Sequence, residues 1–211
     1  MKYNEKQNKL AEIKLTLEQS AARLPIASQP TDIVFGEGSP DTDIVLIGEA
    51  PGHNEHVQRR PFVGRSGQLL RKTLTQVGFP PEMVYITNIV KARPLDNRDP
   101  FPDEIVAYKP YLDQEIELID PKLIITLGRF SMAKFLPAVK ISQVHGRLHK
   151  VSWNNKTTYV LPMYHPAAAL RSTQMLTAFT QDFEKVSKIL DWVKQQRDLI
   201  SDIETISDAL L

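Results

Sequence analysis

Two carboxylates, Glu49 and Glu55, share one turn-rich loop of this 211-residue sequence, and Phe62, Asn88 and His165 are the other side chains with chemistry to offer. A carboxylate can orient a water and favour positive charge developing beside it. The Asn88 carboxamide presents one acceptor and two donors, enough to read the edge of a planar ring. His165 can donate to negative charge as it forms, and Phe62 can stack on a flat ring. Each has an ordinary alternative: a strand-end cap for Asn88, a hydrogen-bonded structural imidazole for His165, a core residue for Phe62. His53 with His56 and His145 with His149 raise a metal question. Both pairs lie in glycine-containing loops with an incomplete ligand set, so no metal is expected.

The elements that must position these groups alternate between strand and helix. Asp43–Ile47 reads as a buried strand that breaks at Gly48, and Gly48, Pro51, Gly52 and Gly64 bend the loop that follows. Further strands are expected at Met83–Ile89, Leu123–Leu127 and Thr158–Pro162. Helices are expected over Met1–Leu24, Gln68–Val77, from Pro102 to just before Pro121, and over Arg129–Leu136. One long helix from about Ser172, followed by an acidic tail with Asp202, Glu204 and Asp208, closes the sequence. Pro25–Pro40 reads as an extended segment, and Lys140–Trp153 as a loop or hairpin. Such alternation implies a parallel sheet with helices on both faces, in which ligands sit outside the carboxyl ends of the strands. Glu49, Asn88, Gly128 and His165 fall at the four strand ends, which argues for one site.

The length suits a single domain over residues 1–211, with appended helices at 1–24 and 172–211. The net charge of +1 is uninformative, but its distribution is not. Between His56 and Arg98 eight Lys and Arg residues face only Glu82 and Asp96. That excess fits a phosphate-backbone binder, or else a solvated face. The absence of secretory and membrane-spanning runs points to a cytoplasmic protein.

The stretches GEAPG (48–52), RPFVGRSGQLL (60–70), ITNIVKARPLDNRDP (86–100) and YHPAAALR (164–171) together resemble the uracil-DNA glycosylase superfamily, nearest its family 4. The resemblance implies a three-layer α/β/α sandwich with a central four-stranded parallel sheet. It also implies a DNA repair enzyme that flips uracil out of DNA and hydrolyses its N-glycosidic bond, acting as a monomer on uracil-containing DNA. The catalytic set would be Glu49, His165 and Glu55. Either acid could hold the water, and Glu55 could instead wall the C5 side of the base. The family's Glu-Asp pair reads Glu55-His56 here, so the second acid is lost. Uracil would be bound by Phe62, Asn88 and the Gly48, Ala50, Pro51 and Gly52 backbone. Arg60, Lys91, Arg93, Arg129, His145, Arg147 and Arg171 would meet DNA, with Leu170 as an apolar wedge. For an isolated Ala-Ala-Ala-Leu, a plain helix start is the simpler reading. Two other functions remain open: a relative with broader or different base specificity (mismatched uracil, hypoxanthine) and a non-cleaving uracil-DNA binder.

One departure is large. Family 4 enzymes usually hold a [4Fe–4S] cluster on four cysteines, two of which align with Ala92 and Tyr108, and this sequence has no cysteine. Thiolates hold such clusters, so no cofactor is expected, and an apolar plug including Tyr108 should order the 91–102 loop instead. Purified protein should therefore be colourless, with chelators leaving activity intact; stoichiometric iron by metal analysis would refute this.

Overall fold

The computed structural model describes the backbone of residues 1–209 and the side chains of residues 1–197. Its centre is four parallel strands: β2 (Ile44–Gly48), β3 (Tyr85–Asn88), β4 (Leu123–Leu127) and β6 (Lys156–Met163). Two antiparallel edge strands extend it, β1 (Glu37–Gly38) against β3 and β5 (His149–Trp153) against β6. The order is β1-β3-β2-β4-β6-β5, so the four strands expected to be parallel are so, within a six-stranded mixed sheet. The hairpin alternative for Lys140–Trp153 is realised by β5, after a short helix α6 (Ile141–Val144).

Every residue of β2 and β4 is buried, because helices cover both faces. Side-chain alternation divides β2 between two cores. Ile44 and Leu46 pack with α3 (Arg65–Gln76), α7 (Pro166–Ala169), α8 (Thr173–Glu184) and α9 (Val186–Ala209). Val45 and Ile47 pack with α1 (Tyr3–Gln19) and α4 (Pro102–Ile119) on the opposite face. The result is the three-layer sandwich. The expected single C-terminal helix is divided at Lys185 into α8 and α9, and both parts keep their apolar faces on the sheet through Phe179, Phe183, Val186, Leu190 and Val193. The acidic side chains expected at its end lie outside the described side chains.

The residues present do not fit an iron–sulfur cluster. Ala92 and Tyr108 are fully buried in a core with Leu10, Leu17 and Ala21, and Leu24, Ile26 and Ala27 pack against it. The Tyr108 hydroxyl donates to the Pro25 carbonyl at 2.7 Å. An aromatic plug thus ties the N-terminal segment to α4 and to the start of the 91–102 loop. The rest of that loop is fastened by polar contacts. Arg98 donates to both oxygens of Glu104, at 2.9 and 2.5 Å, and Arg93 donates to Asn97 at 2.8 Å.

The expected DNA contact at Lys91 is overturned here. Its side chain has no exposure, and its ammonium sits 2.6 Å from Glu115 Oε1 and donates to Thr87. Burial pushes its pKa down while Glu115 pushes it back up. Of the eight basic residues in the 56–98 stretch, Arg59, Arg60, Arg71, Lys91 and Arg98 all form ion pairs with glutamates. The local excess of positive charge is therefore largely neutralised within the fold. Lys91→Ala strands a buried carboxylate and should cost about 3–5 kcal/mol in urea denaturation. It should leave the salt dependence of DNA binding unchanged; a flatter dependence would return Lys91 to the surface.

Candidate active site

The parallel register aligns the strand ends. Gly48 pairs with Asn88, Ile47 with Thr126, and Thr126 with Pro162. The chain reverses its direction of travel across the sheet between β2 and β4, and a cleft of about 600 Å³ opens at that switch point. Glu49, Ala50, Pro51, Gly52 and Glu55 line it from the first loop, and Phe62 and Asn88 join them. Asp99, Arg129, Tyr164, His165 and Arg171 close the other sides. Gly48 lies beneath: a Cβ there would collide with both Asn88 Oδ1 and the Phe62 ring, so the missing side chain lets these two approach.

Asn88 is 2% exposed, and its Oδ1 is a buried acceptor with no partner. Buried acceptors are nearly always satisfied, so an orphan in a cleft wall is a seat for an N–H donor. Phe62 is 5% exposed, with its ring 5.9 Å from that of His165. His165 is the N-cap of α7, a short helix that sequence reading weighed only as an alternative. Its Nδ1 accepts from the Ala167 N–H at 3.2 Å, which assigns the proton of the neutral ring to Nε2. Burial pushes its pKa down to about 4, against the Glu55 charge and with help from Arg171. The imidazole is therefore a neutral donor at physiological pH.

The two carboxylates have separate surroundings. Glu55 is buried on α2 (His53–Gln58), a helix hidden inside the expected loop, and its Oε1 accepts from the Val63 and Gly64 N–H groups at 2.9 and 2.7 Å. It fastens the loop that carries Phe62. Glu49, in contrast, lines the cleft with a raised pKa. Burial, then the Asp99 charge, raises its pKa to about 7, with Arg129 opposing. Asp99 and Arg129 are ion-paired to each other. Asp99 was missed in the sequence because it lies in a Pro- and charge-rich loop with no periodic signal, and Tyr164 because only the fold makes it a cleft wall.

The remaining expected contacts scatter. Arg129 and Arg171 line the cleft, and Arg147 is exposed. Leu170, 45% exposed, follows α7 beside Arg171. Arg60 is ion-paired with Glu37, and Arg93 donates to Asn97, a residue of the cleft lining, and lies 3.2 Å from His53 Nδ1; neither arginine is itself part of the lining. His145 is no free phosphate contact: its Nδ1 lies 2.6 Å from Asp182, and its ring stacks 4.2 Å from Tyr164. Among the described residues no group of three or more side chains could hold a metal.

A cleft with an aromatic ring, an orphan acceptor, a neutral imidazole donor and a carboxylate of raised pKa, at the carboxyl edge of a parallel sheet, is the site of an α/β enzyme. Residues 35–194 match the family described as Uracil DNA glycosylase superfamily, and the chain belongs to it. It is 42% identical over 165 residues to the Type-4 uracil-DNA glycosylase of Sulfurisphaera tokodaii, covering 75% of each chain. It is 43% identical over 165 residues to that of Saccharolobus solfataricus, covering 74% of this chain and 76% of the relative. It is 38% identical over 176 residues to that of Archaeoglobus fulgidus, covering 81% and 88%.

Carboxyl NMR should find Glu49 titrating near pH 7, lower in Asp99→Asn and higher in Arg129→Gln. Midpoints unmoved by either change would remove the ion pair from the control of Glu49.

Proposed function

We infer that this protein excises uracil from DNA by hydrolysing the N-glycosidic bond, leaving an abasic site. The observation that carries the reading is the orphan Asn88 Oδ1 facing the Phe62 ring across Gly48. In this reading uracil leaves the helix and stacks on Phe62. Asn88 Oδ1 accepts from N3–H while the amide donates to O4. Cytosine presents the inverse pattern and would leave buried groups unpaired, which is a stronger rejection than shape alone provides.

The reaction then follows from charge. As the bond breaks, electrons move onto uracil and the sugar becomes cationic. The Nε2–H of His165 donates to uracil O2, and because the ring is neutral it stabilises the anion without surrendering a proton. Glu49, when ionised, orients water toward C1′, stabilises the cationic sugar and takes the proton the water loses on bonding to C1′, while uracil leaves as the anion and is protonated from solvent. Glu55 is committed to the loop backbone and acts by position. Arg129, Arg147 and Arg171 are the proposed phosphate contacts, and Leu170 fills the space the base leaves. No helix among the described residues is long and apolar enough to cross a membrane. We place the enzyme in the cytoplasm as a monomer on DNA.

The pH dependence has a definite sign. Glu49 must be ionised, so the single-turnover rate should rise with pH through about 7. His165 stays neutral above about 4, so it should cause no fall at higher pH. His165→Ala should lower the single-turnover rate by about 10²–10³ with little loss of binding to uracil-containing DNA. Asn88→Asp should cut poorly and relax discrimination against cytosine. A His165→Ala protein that cuts normally but no longer binds DNA would make the imidazole a docking group. Wild-type protein that binds uracil-containing oligonucleotides without producing alkali-labile sites would instead be a binder.

A further inference from the structure

Phe62 holds a backbone conformation that its own side chain disfavours. Its φ is 55°, in the left-handed region that bulky residues rarely enter, so the surroundings must impose it. Part of the imposition is steric: Gly67 leaves room for the Phe62 carbonyl, which a Cβ there would strike. The rest is Arg71, on the same helix α3. Its Nε donates to the Phe62 carbonyl at 2.8 Å, and its Nη2 donates to the Pro61 carbonyl at 2.8 Å.

Arg71 is itself anchored. Its Nη2 also ion-pairs with Glu37 Oε1, while Glu37 Oε2 accepts from Arg60 Nε at 2.7 Å. Burial pushes the Glu37 pKa up, but hydrogen bonds from Arg60 and Arg71 outweigh it and hold the carboxyl below its ordinary value. Glu37 stands on β1, the two-residue edge strand whose register pairs it with Ile86 of β3. Two residues further along, β3 ends in Asn88. A continuous set of contacts therefore runs from the strand that presents the ring-reading amide, through Glu37 and Arg71, to the peptide that presents the stacking ring. Neither Glu37 nor Arg71 lines the cleft.

We propose that Arg71, oriented by Glu37, is a positioning residue for base capture that fixes the Phe62 ring relative to Asn88. The proposal rests on the uracil-excision reading. A planar guanidinium suits the task because it reaches two adjacent carbonyls and a carboxylate at once, which a lysine ammonium on a flexible stem does not reproduce. A phosphate contact is the competing role for an arginine in this stretch, but the Nε and Nη2 donors are already committed inward.

The test uses full-length protein, a uracil-containing oligonucleotide and free uracil as inhibitor, comparing wild type with Arg71→Met, Arg71→Lys and Glu37→Gln. Arg71→Met should raise the half-saturating concentration and the free-uracil inhibition constant by about tenfold, with the maximal single-turnover rate nearly kept. Arg71→Lys should not restore capture, and Glu37→Gln, which keeps an acceptor, should fall between. Affinity for undamaged DNA and its salt dependence should be unchanged in all three. If Arg71→Met fails to fold, the other two variants carry the same comparison. A loss confined to undamaged-DNA affinity, or a slower maximal rate with normal uracil inhibition, would overturn the proposal. An active wild type beside an unaffected Arg71→Met sinks this inference alone, whereas a wild type inactive on uracil sinks the excision reading beneath it.

Discussion

The residues Pro61 to Gly64 form a peptide segment whose hydrogen-bonding groups are held from two sides by ionic side chains. Glu55 takes the N–H groups of Val63 and Gly64, and Arg71 supplies donors to the carbonyls of Pro61 and Phe62. A left-handed phenylalanine costs on the order of 1–3 kcal/mol, and charge-assisted hydrogen bonds are strong enough to offset it. On the positioning proposed for Arg71, releasing that segment would free the ring from its place beside Asn88, and the slot would depend on this double restraint more than on any single wall. The need for it follows from topology: Phe62 arrives on a loop, and loops hold geometry only when something outside them does.

Desolvation also sets the chemistry of two titratable groups that line the cleft from different loops. Burial acts in opposite senses on Glu49 and on the more deeply buried His165, raising the Glu49 carboxyl to about 7 and lowering the His165 imidazole to about 4. Each effect disfavours a charge. The outcome is one carboxyl group that titrates near neutral pH and one imidazole that stays neutral, from a single physical cause. The Asp99–Arg129 ion pair adds a second control on Glu49 alone, since the two charges oppose each other there.

The region where the family resemblance would place two cluster cysteines is here held by packing. Tyr108 shares a core with Ala92 and reaches Pro25, and the wholly buried Lys91–Glu115 pair joins the first residue of the loop to α4, with Thr87 of β3 hydrogen-bonded to both partners. A buried ion pair is a costly way to gain stability, but separating its members costs more, so the pair fixes where the loop begins. The polar clasp of Arg98 on Glu104 then holds the stretch that brings Asp99 into the cleft.

Periodicity and turn residues in the sequence were enough for the four parallel strands, the main helices and the alignment of Glu49, Asn88 and His165 at strand ends, because those features are local and the parallel fold has one edge for ligands. The motifs carried the family. Other features depend on partners distant in sequence, which no local pattern reports. Lys91 reads as a DNA contact until Glu115 is seen beside it, and the basic stretch loses most of its surplus charge to glutamates scattered from Glu18 to Glu115. The roles of Glu49 and Glu55 could not be separated in one dimension, since both are glutamates in one loop. Tertiary structure gives them different surroundings, backbone N–H groups on Glu55 and burial near the Asp99 charge for Glu49, because which groups reach a carboxylate is decided by the fold.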